Sequence, residues 1–179
     1  MTRARAELPA VIAELAADLC AAIGAGGKLV TFGNGGSAAD AQHFAAELTG
    51  HFLLDRGPLP GIALTVDTSA LTAIGNDYAY DEVFARQATA LVGPHDLVVA
   101  ISTSGRAASV VRGAEAARAK GARVWALTGG TGGGLVGATD RALVVPSSVT
   151  ARIQEVHITV IHAVCTILDD WVEAGSGRG

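Results

Sequence analysis

The 179-residue sequence predicts an α/β fold with three layers, in which a five-stranded parallel sheet lies between helices and an extra N-terminal helix precedes it. Two observations support this prediction. Short apolar runs alternate with helix-length segments, and parallel strands need such helical crossovers. Half of the residues are apolar but only 4% are aromatic, and Ala and Gly dominate, which favours helices packed closely on a sheet.

The predicted elements follow one another in this order. An amphipathic helix over Ala4–Ala25 ends at Gly24 and the Gly26-Gly27 pair, which are typical stop signals. Five strands are predicted at Lys28–Phe32, Gly61–Val66, Leu97–Ile101, Arg123–Leu127 and Ala142–Val145. The crossover helices are predicted at Ser37–Leu48, about Thr68–Leu91 and about Ala107–Lys120, and the glycine-rich connection after the fourth strand leaves room for a short helical turn only.

A long helix over Ala151–Val172 and a polar tail complete the chain. Without an internal repeat, we expect a single domain over residues 1–179. Its parts are the N-terminal helix in residues 1–26, the α/β core in 27–150, the C-terminal helix in 151–172 and a flexible tail in 173–179.

Charge and cysteine content narrow the class of protein. The net charge of -4 comes without a cluster of Lys or Arg, so we expect neither nucleic acid nor a membrane surface as a partner. Cys20 and Cys165 lie far apart inside helical patterns, as small buried residues do. No apolar run approaches the roughly 20 residues of a membrane span, and the N-terminus lacks the apolar core of a signal peptide. These features predict a cytoplasmic protein.

Ligands of open parallel sheets bind at the carboxyl ends of the strands, and four of the five ends here are rich in glycine or hydroxyl residues. After the third strand, Ser102–Arg106 (STSGR) offers three hydroxyls and a glycine directly before a helix. Hydroxyls, free N–H groups and the helix dipole at such a position can hold a phosphate. The alternative is an ordinary N-cap, for which these residues are also preferred. Ser37, at a neighbouring helix start, favours the phosphate.

The turn after the first strand, Gly33–Ala38 (GNGGSA), matches the G-x-G-x-x-A pattern of dinucleotide sites. Such a site also needs an acidic residue at the end of the second strand, about 20 residues further on. Asp55 has that spacing but precedes a turn, and Asp67 comes about ten residues too late. We therefore expect this turn to hold a sugar phosphate rather than a nucleotide.

Polar residues on two helices form a second candidate constellation. Asp40, His43 and Glu47 share one helix face, and the i, i+4 spacing of the last two suits a shared metal ion or a shared proton. The alternative is an exposed polar stripe. On the last helix, Gln154 and His162 are eight residues apart, about 80° around the helix, close enough to line one cavity. His157 lies on the other side of Gln154 and is expected in the core.

Jointly these motifs resemble the sugar isomerase (SIS) family, and within it the sedoheptulose 7-phosphate isomerases. The matching segments are GNGGSAADAQHFAAELTG, AIGNDYAYDEVFARQ, LVVAISTSG, ALTGGTGGG and ARIQEVHITVIH, which cover nearly the whole chain in the family's order. The resemblance implies the flavodoxin-like SIS fold, a homotetramer with active sites at subunit interfaces, and aldose–ketose isomerisation of a phosphosugar through an enediol.

The resemblance also implies roles for individual residues. Glu47 is expected as the catalytic base and His162 as the catalytic acid. The metal set carried over, normally for one zinc ion per subunit, is His43, Glu47, Gln154 and His162. The residues expected to contact the substrate are Asn34, Gly35, Gly36, Ser37, Glu47, Asn76, Asp77, Ser102, Thr103, Ser104 and Gln154.

The chain departs from the family pattern at three positions. Ala107 stands where the isomerases usually have a further Ser, and Arg106 precedes it in place of a common Asn. Ala151 stands where many have Asp before RIQE. These departures bear on which phosphosugar is the substrate, so an isomerase of another phosphosugar is one alternative.

A second alternative is a related SIS branch whose members regulate replication by binding the initiator DnaA. SAADAQHFAA and ARIQE resemble that branch as well. It lacks the acidic residue at the position of Glu47 and the histidine at that of His162. Both are present here, which favours the enzyme.

Overall fold

The computed structural model describes residues 2–175, with side chains from Leu8 onward. Within these residues, strands β1 to β5 span Leu29–Gly33, Gly61–Ala63, Leu97–Ser102, Arg123–Gly129 and Arg141–Val145. Helices α1 to α7 span Thr2–Gly24, Gly36–Thr49, Thr68–Asp77, Val83–Leu91, Ala108–Ala119, Leu135–Ala138 and Thr150–Glu173, with a 3-10 turn at Tyr80–Glu82. Of the predicted tail, Glu173 ends α7, and residues 176–179 lie outside the described part.

The five strands form one parallel sheet in the order β2-β1-β3-β4-β5, which confirms the predicted sheet. This is the flavodoxin-like order, in which the chain reverses direction across the sheet between β1 and β3. The two central strands pair from Leu29 with Leu97 through Gly33 with Ile101, so their carboxyl ends lie side by side. The turns that follow β1 and β3 therefore meet at the switch point, where ligands of such sheets bind.

The sheet separates two apolar clusters, which confirms the three layers. On one face, strand residues such as Leu97, Val99 and Ile101 pack against α1, α2 and α7, which form the first helical layer. On the other face, Val98 and Ala100 pack against α4, α5 and α6, which form the second helical layer. Since α2 and α7 share a layer, polar residues on their neighbouring faces can meet. No helix in the described part of the chain is long and apolar enough to cross a membrane.

Helix α1 is fastened to the first layer at two tryptophans. The indole N–H of the buried Trp125 donates to Asp18 of α1, with 2.7 Å between Nε1 and Oδ2. At the end of α1, a Cβ at Gly24 would lie 3.7 Å from the ring of Trp171. The extra N-terminal helix is thus part of the layer that contains α2 and α7.

The prediction of one helix over Thr68–Leu91 is wrong, because the chain breaks it after Asp77. Tyr78 leaves helical geometry, and Ala79 is extended, before the 3-10 turn leads into α4. The preceding Gly-Asn-Asp run has low helix propensity, which makes this the weakest point of the segment. The break places Tyr80 beside the turn after β1. The second strand is also shorter than predicted and ends at Ala63.

Both cysteines are buried in the first layer, as predicted. Burial raises the pKa of the Cys165 thiol to about 12, and the carboxylates of Glu47 and Asp169 add to the rise. Burial also raises the pKa of Cys20. Because the thiolate is the reactive form, we expect neither thiol to react with a disulfide reagent at pH 8 in native protein. Both should react in guanidinium; a rapidly labelled native thiol would contradict this packing.

Candidate active site

The predicted polar constellation comes together where α2 lies beside α7. On α2, Nε2 of His43 lies 2.7 Å from Oε1 of Glu47, as the i, i+4 spacing predicted. From α7, Nε2 of His162 lies 3.4 Å from Nε2 of His43, and the two ring centroids are 5.1 Å apart. The two helices thus bring three side chains from opposite ends of the chain to one point.

This group offers the donors of a metal site. One ligand atom from each of His43, Glu47 and His162 can be chosen so that all lie within 4.8 Å of one another. Imidazole nitrogens and carboxylate oxygens are ligands that zinc accepts. Two Zn–N bonds of about 2.05 Å at a tetrahedral angle separate their nitrogens by about 3.3 Å, close to the separation of the two imidazoles here. The donor set therefore fits zinc.

A cavity of about 420 Å³ opens beside this group. Its lining comprises Ala39, Asp40, His43, Ala151, Gln154, Glu155 and Ile158. Gln154 crosses to α2, since a Cβ at Gly36 would lie 3.0 Å from its Cδ. In the described part of the chain, Oδ2 of Asp40 has no hydrogen-bond partner, and burial raises the pKa of this carboxyl while His43 opposes the rise.

The turn after β1 is shaped by its glycines and held by side chains. Gly35 has a φ of 56°, which favours glycine, and it precedes the first residue of α2. Asn34 is fixed on both sides: its amide donates to Oγ of Ser109 at 3.0 Å, and its carbonyl accepts from the Tyr80 hydroxyl at 2.8 Å. Ser37 is buried. The turn is therefore preorganised, with exposed backbone at Gly35 and Gly36.

The second turn, Ser102–Gly105, follows β3. Ser102 is buried, and its Oγ accepts from the Gly105 N–H at 3.2 Å, so this hydroxyl shapes the turn. Ser104 is exposed and Thr103 half-buried, which leaves their hydroxyls accessible to a ligand. Gly105 has a φ of 61°, and its carbonyl accepts from the Leu135 N–H at the start of α6.

Helix α5 begins without a side-chain cap. Its N-cap is Ala107, in extended geometry and with no side-chain hydrogen bond. Replacing Ala107→Ser should add that bond and raise the free energy of unfolding by about 1 kcal/mol, measured by chemical denaturation. The matched control, Ala108→Ser, adds a hydroxyl one residue inside the helix and should give no gain. Equal effects of both variants would argue against a missing cap.

Not every predicted site residue joins the cluster. Asn76 and Asp77 are exposed at the end of α3, and the Asn76 amide donates to the Asp77 carboxylate. Among residues 8–175, no hydrogen bond ties either to the histidine cluster. His157 is buried, as expected of a core residue, with Nε2 3.2 Å from the Thr128 carbonyl oxygen. Burial lowers its pKa and that hydrogen bond opposes the shift.

Two neighbours of the site escaped prediction from the sequence. Phe52 stacks on the His162 ring with centroids 5.5 Å apart, and Tyr80 holds Asn34. Phe52 lies in an irregular segment and Tyr80 begins a 3-10 turn, so periodicity gives neither side chain an orientation. The weak signal available was the scarcity of aromatics: with only four Phe and two Tyr in the chain, an aromatic in a turn is worth testing as a ligand contact.

Comparison with known proteins agrees with this architecture. The family model described as SIS domain matches residues 1–129. A phosphoheptose isomerase of Rhodospirillum rubrum is 52% identical over 159 residues, 89% of this chain and 85% of that protein. One from a Roseiflexus species is 59% identical over 144 residues, 80% of this chain and 73% of that protein.

A solved structure of a phosphoheptose isomerase from Francisella tularensis superposes with a TM-score of 0.88 at 39% identity, covering 94% of this chain and 92% of that one. Identity near one half extends over most of the chain, beyond the part that the family model matches. The chain therefore belongs to the phosphoheptose isomerase family of SIS-domain enzymes.

Proposed function

We propose that the protein isomerises sedoheptulose 7-phosphate to D-glycero-D-manno-heptose 7-phosphate. One observation carries the proposal: His43, which is grouped with Glu47 and His162, lines a cavity that Gln154 also lines. Gln154 in turn lies against Gly36 of the turn after β1. The three relatives described above are phosphoheptose isomerases by name, which supports the same substrate class.

The phosphate of the substrate would bind to the two turns at the switch point. Gly35 and Gly36 would supply exposed backbone N–H groups at the N-terminus of α2, and Thr103 and Ser104 would supply accessible hydroxyls before α5. The hydroxyls of Ser37 and Ser102, which are buried in the structure, are the two remaining contacts of the proposal. Both helix starts carry the positive end of a helix dipole, so an anion is favoured without a lysine. Asn34, Asn76 and Asp77 would contact the sugar hydroxyls.

The isomerisation moves one proton between two carbons and one between two oxygens. Glu47 takes the proton from C1 of the ketose, which forms the enediol, and returns it to C2. His162 moves the hydroxyl proton from O1 to O2, so the carbonyl ends at C1 and no hydrogen is gained or lost. General acid–base work of this kind needs groups within hydrogen-bond reach of the substrate, and both side chains are grouped with His43, which lines the cavity.

The metal in this proposal is one zinc ion per subunit, held by His43, Glu47, Gln154 and His162. The chemistry that zinc supplies in such a site is polarisation of a carbonyl oxygen. Glu47 has two carboxylate oxygens, so one could bind the metal while the other takes the proton. His162 presents Nε2 to His43, so its metal and proton roles would draw on the same nitrogen, and activity without metal decides between them. The 3.4 Å between Nε2 of His43 and Nε2 of His162, close to the separation of two nitrogens bound to one zinc ion, supports this metal.

The proposed function also concerns the compartment, the domain content and the assembly of the enzyme. We place it in the cytoplasm as a single SIS domain over residues 1–179 and as a homotetramer with active sites at subunit interfaces. The exposed Asn76 and Asp77 are then substrate contacts completed by assembly. Sedimentation of purified protein tests the tetramer directly, and a monomer with full activity would remove the interfacial site.

A second substrate is favoured by the wall of the cavity itself. Ala151, which departs from the Asp of the family pattern noted above, lines the cavity, and Ala107 stands where that pattern has a further Ser. A less polar wall suits a phosphosugar with fewer or differently placed hydroxyls, so an isomerase of another phosphosugar is the second candidate.

The test is turnover by purified protein. Sedoheptulose 7-phosphate should give the aldose product, and other ketose phosphates should give kcat/KM at least tenfold lower. Elemental analysis of protein purified without chelator should find about one zinc per chain. No turnover by folded, zinc-loaded protein would exclude this substrate, and full activity without metal would remove zinc from the mechanism.

A further inference from the structure

A buried ion pair joins the two helices that carry the His43–Glu47–His162 group. Nε of Arg56 lies 2.9 Å from Oδ1 of Asp169, and only 3% of the arginine side chain and 8% of the aspartate side chain are exposed. Asp169 is on α7, and Arg56 lies in the connection after α2. A buried pair of this kind costs desolvation and is weak evidence for stability by itself, which calls for another explanation.

The arginine is bonded to the end of α2 that carries Glu47. Its guanidinium donates to the Leu48 carbonyl oxygen at 3.0 Å and to the Glu47 carbonyl oxygen at 2.8 Å. These are among the last carbonyls of α2, which have no partner within the helix. The planar guanidinium thus bridges the main chain of α2 and the carboxylate on α7 in one rigid unit.

The aspartate is on the same face of α7 as His162. The two residues are seven positions apart, two turns of the helix, so they differ by only about 20° around the axis and lie about 10 Å apart along it. Fixing Asp169 against the end of α2 therefore fixes the rotation and height of His162 relative to His43 and Glu47.

Asp169 also anchors the segment that carries Phe52. Its Oδ2 accepts from the Leu53 and Leu54 N–H groups at 3.0 and 2.9 Å. Phe52, directly before them, stacks on the His162 ring. Burial alone would raise the pKa of Asp169, but these N–H groups and Arg56 hold it below its usual range, so the carboxylate stays charged.

We propose that Arg56 and Asp169 are positioning residues that set the geometry of the His43–Glu47–His162 group by locking α2, α7 and Phe52 together. The claim rests on the proposed function for its metal and its substrate, but the geometry it describes exists without either. Neither residue is among those that line the cavity beside His43, so their effect would pass through the helices.

The chain contains a closely matched control for removing such a carboxylate. Asp96 is equally buried and accepts from two backbone N–H groups, Lys28 and Gly93, and from one cation, the Lys28 ammonium at 2.7 Å. It directly precedes β3, at the amino end of the sheet and opposite the candidate site. Asp169→Asn and Asp96→Asn thus each remove the charge and one acceptor oxygen from a buried carboxylate that binds two N–H groups and one cation.

The experiment compares these variants with Arg56→Lys, which keeps the charge but not the planar fork, under conditions in which circular dichroism shows each protein folded. Zinc affinity is measured by competition with a chromogenic chelator. We expect the zinc affinity of Asp169→Asn and of Arg56→Lys to fall roughly tenfold or more, as it does when residues that support metal ligands are replaced. The zinc affinity of Asp96→Asn should stay within about twofold of wild type. With substrate, kcat should fall more than KM rises, because the phosphate turns are untouched.

Crystals of the metal-free variants measure the Nε2–Nε2 distance between His43 and His162 directly. A distance longer than in wild type in Asp169→Asn, but not in Asp96→Asn, supports the positioning role. An unchanged distance with wild-type zinc affinity in folded Asp169→Asn overturns it. If Asp169→Asn does not fold, Arg56→Lys decides by the same criteria. If wild type neither binds zinc nor turns over the sugar, the proposed function fails, and the distance still decides this inference.

Discussion

Replacing Glu47→Gln is expected to lower kcat/KM for sedoheptulose 7-phosphate by roughly 10²- to 10⁴-fold, the usual contribution of a general base. Glutamine has the shape of glutamate and keeps an oxygen that can accept from His43, so the fold should survive. It has no carboxylate to take the proton from C1. The measurement is the rate of aldose formation, together with deuterium incorporation at C2 when wild type works in D₂O.

The control for this variant is Glu115→Gln, which removes an exposed carboxylate of α5 on the opposite face of the sheet. It should retain wild-type kcat/KM. The zinc content of Glu47→Gln separates loss of the base from loss of a ligand: full zinc with no turnover assigns the proton transfer to Glu47. Turnover within tenfold of wild type, with deuterium still entering C2, would show that another group is the base.

The second large effect is expected for Gly105→Ala in the turn after β3. The φ of 61° disfavours an L side chain, and the added Cβ would overlap the Gly132 carbonyl, with its carbon only 2.5 Å away. Because backbone cannot move aside cheaply, we expect the free energy of unfolding to fall by about 3 kcal/mol or more. Urea unfolding followed by circular dichroism measures it.

Gly26→Ala is the matched control, since Gly26 has a φ of 80° but no atom within 4 Å of the added Cβ. Its free energy of unfolding should fall by only about 1 kcal/mol, the cost of the backbone conformation alone. The difference between the two variants isolates the close approach of the Ser102–Gly105 turn to the glycine-rich segment after β4. Equal losses of unfolding free energy in the two variants would mean that the close contact between the two segments contributes nothing to stability. The turn would then be free to relax around a ligand.

Most of the fold was predictable from local patterns. The two strands at the switch point, β1 and β3, are buried throughout, and β3, a continuous apolar run, was found with an error of one residue at its end. The break after Asp77 was missed because apolar spacing continues through it: Leu71 and Ile74 before it, and Val83 and Phe84 after it, all pack on the second layer. A tertiary contact, Tyr80 with Asn34, lies at the break, and no local pattern encodes it.

The site was predictable in halves. The spacing of His43 and Glu47 on one helix indicated their pairing, and the 80° between Gln154 and His162 indicated a shared cavity. That the two halves meet followed only from the family resemblance, because nothing in helical periodicity relates residues 119 positions apart. The same limit hid Arg56 and Asp169, since a connecting loop gives an arginine no predictable direction.

The attachment of α1 at Trp125 and Trp171 has a practical consequence. These are the only two tryptophans of the sequence, and both adjoin α1, one through Asp18 and the other beside Gly24. Intrinsic tryptophan fluorescence of this protein therefore reports whether the N-terminal helix is docked. A variant whose emission maximum is unchanged keeps that layer intact, so its lost activity can be assigned to chemistry rather than to an undocked helix.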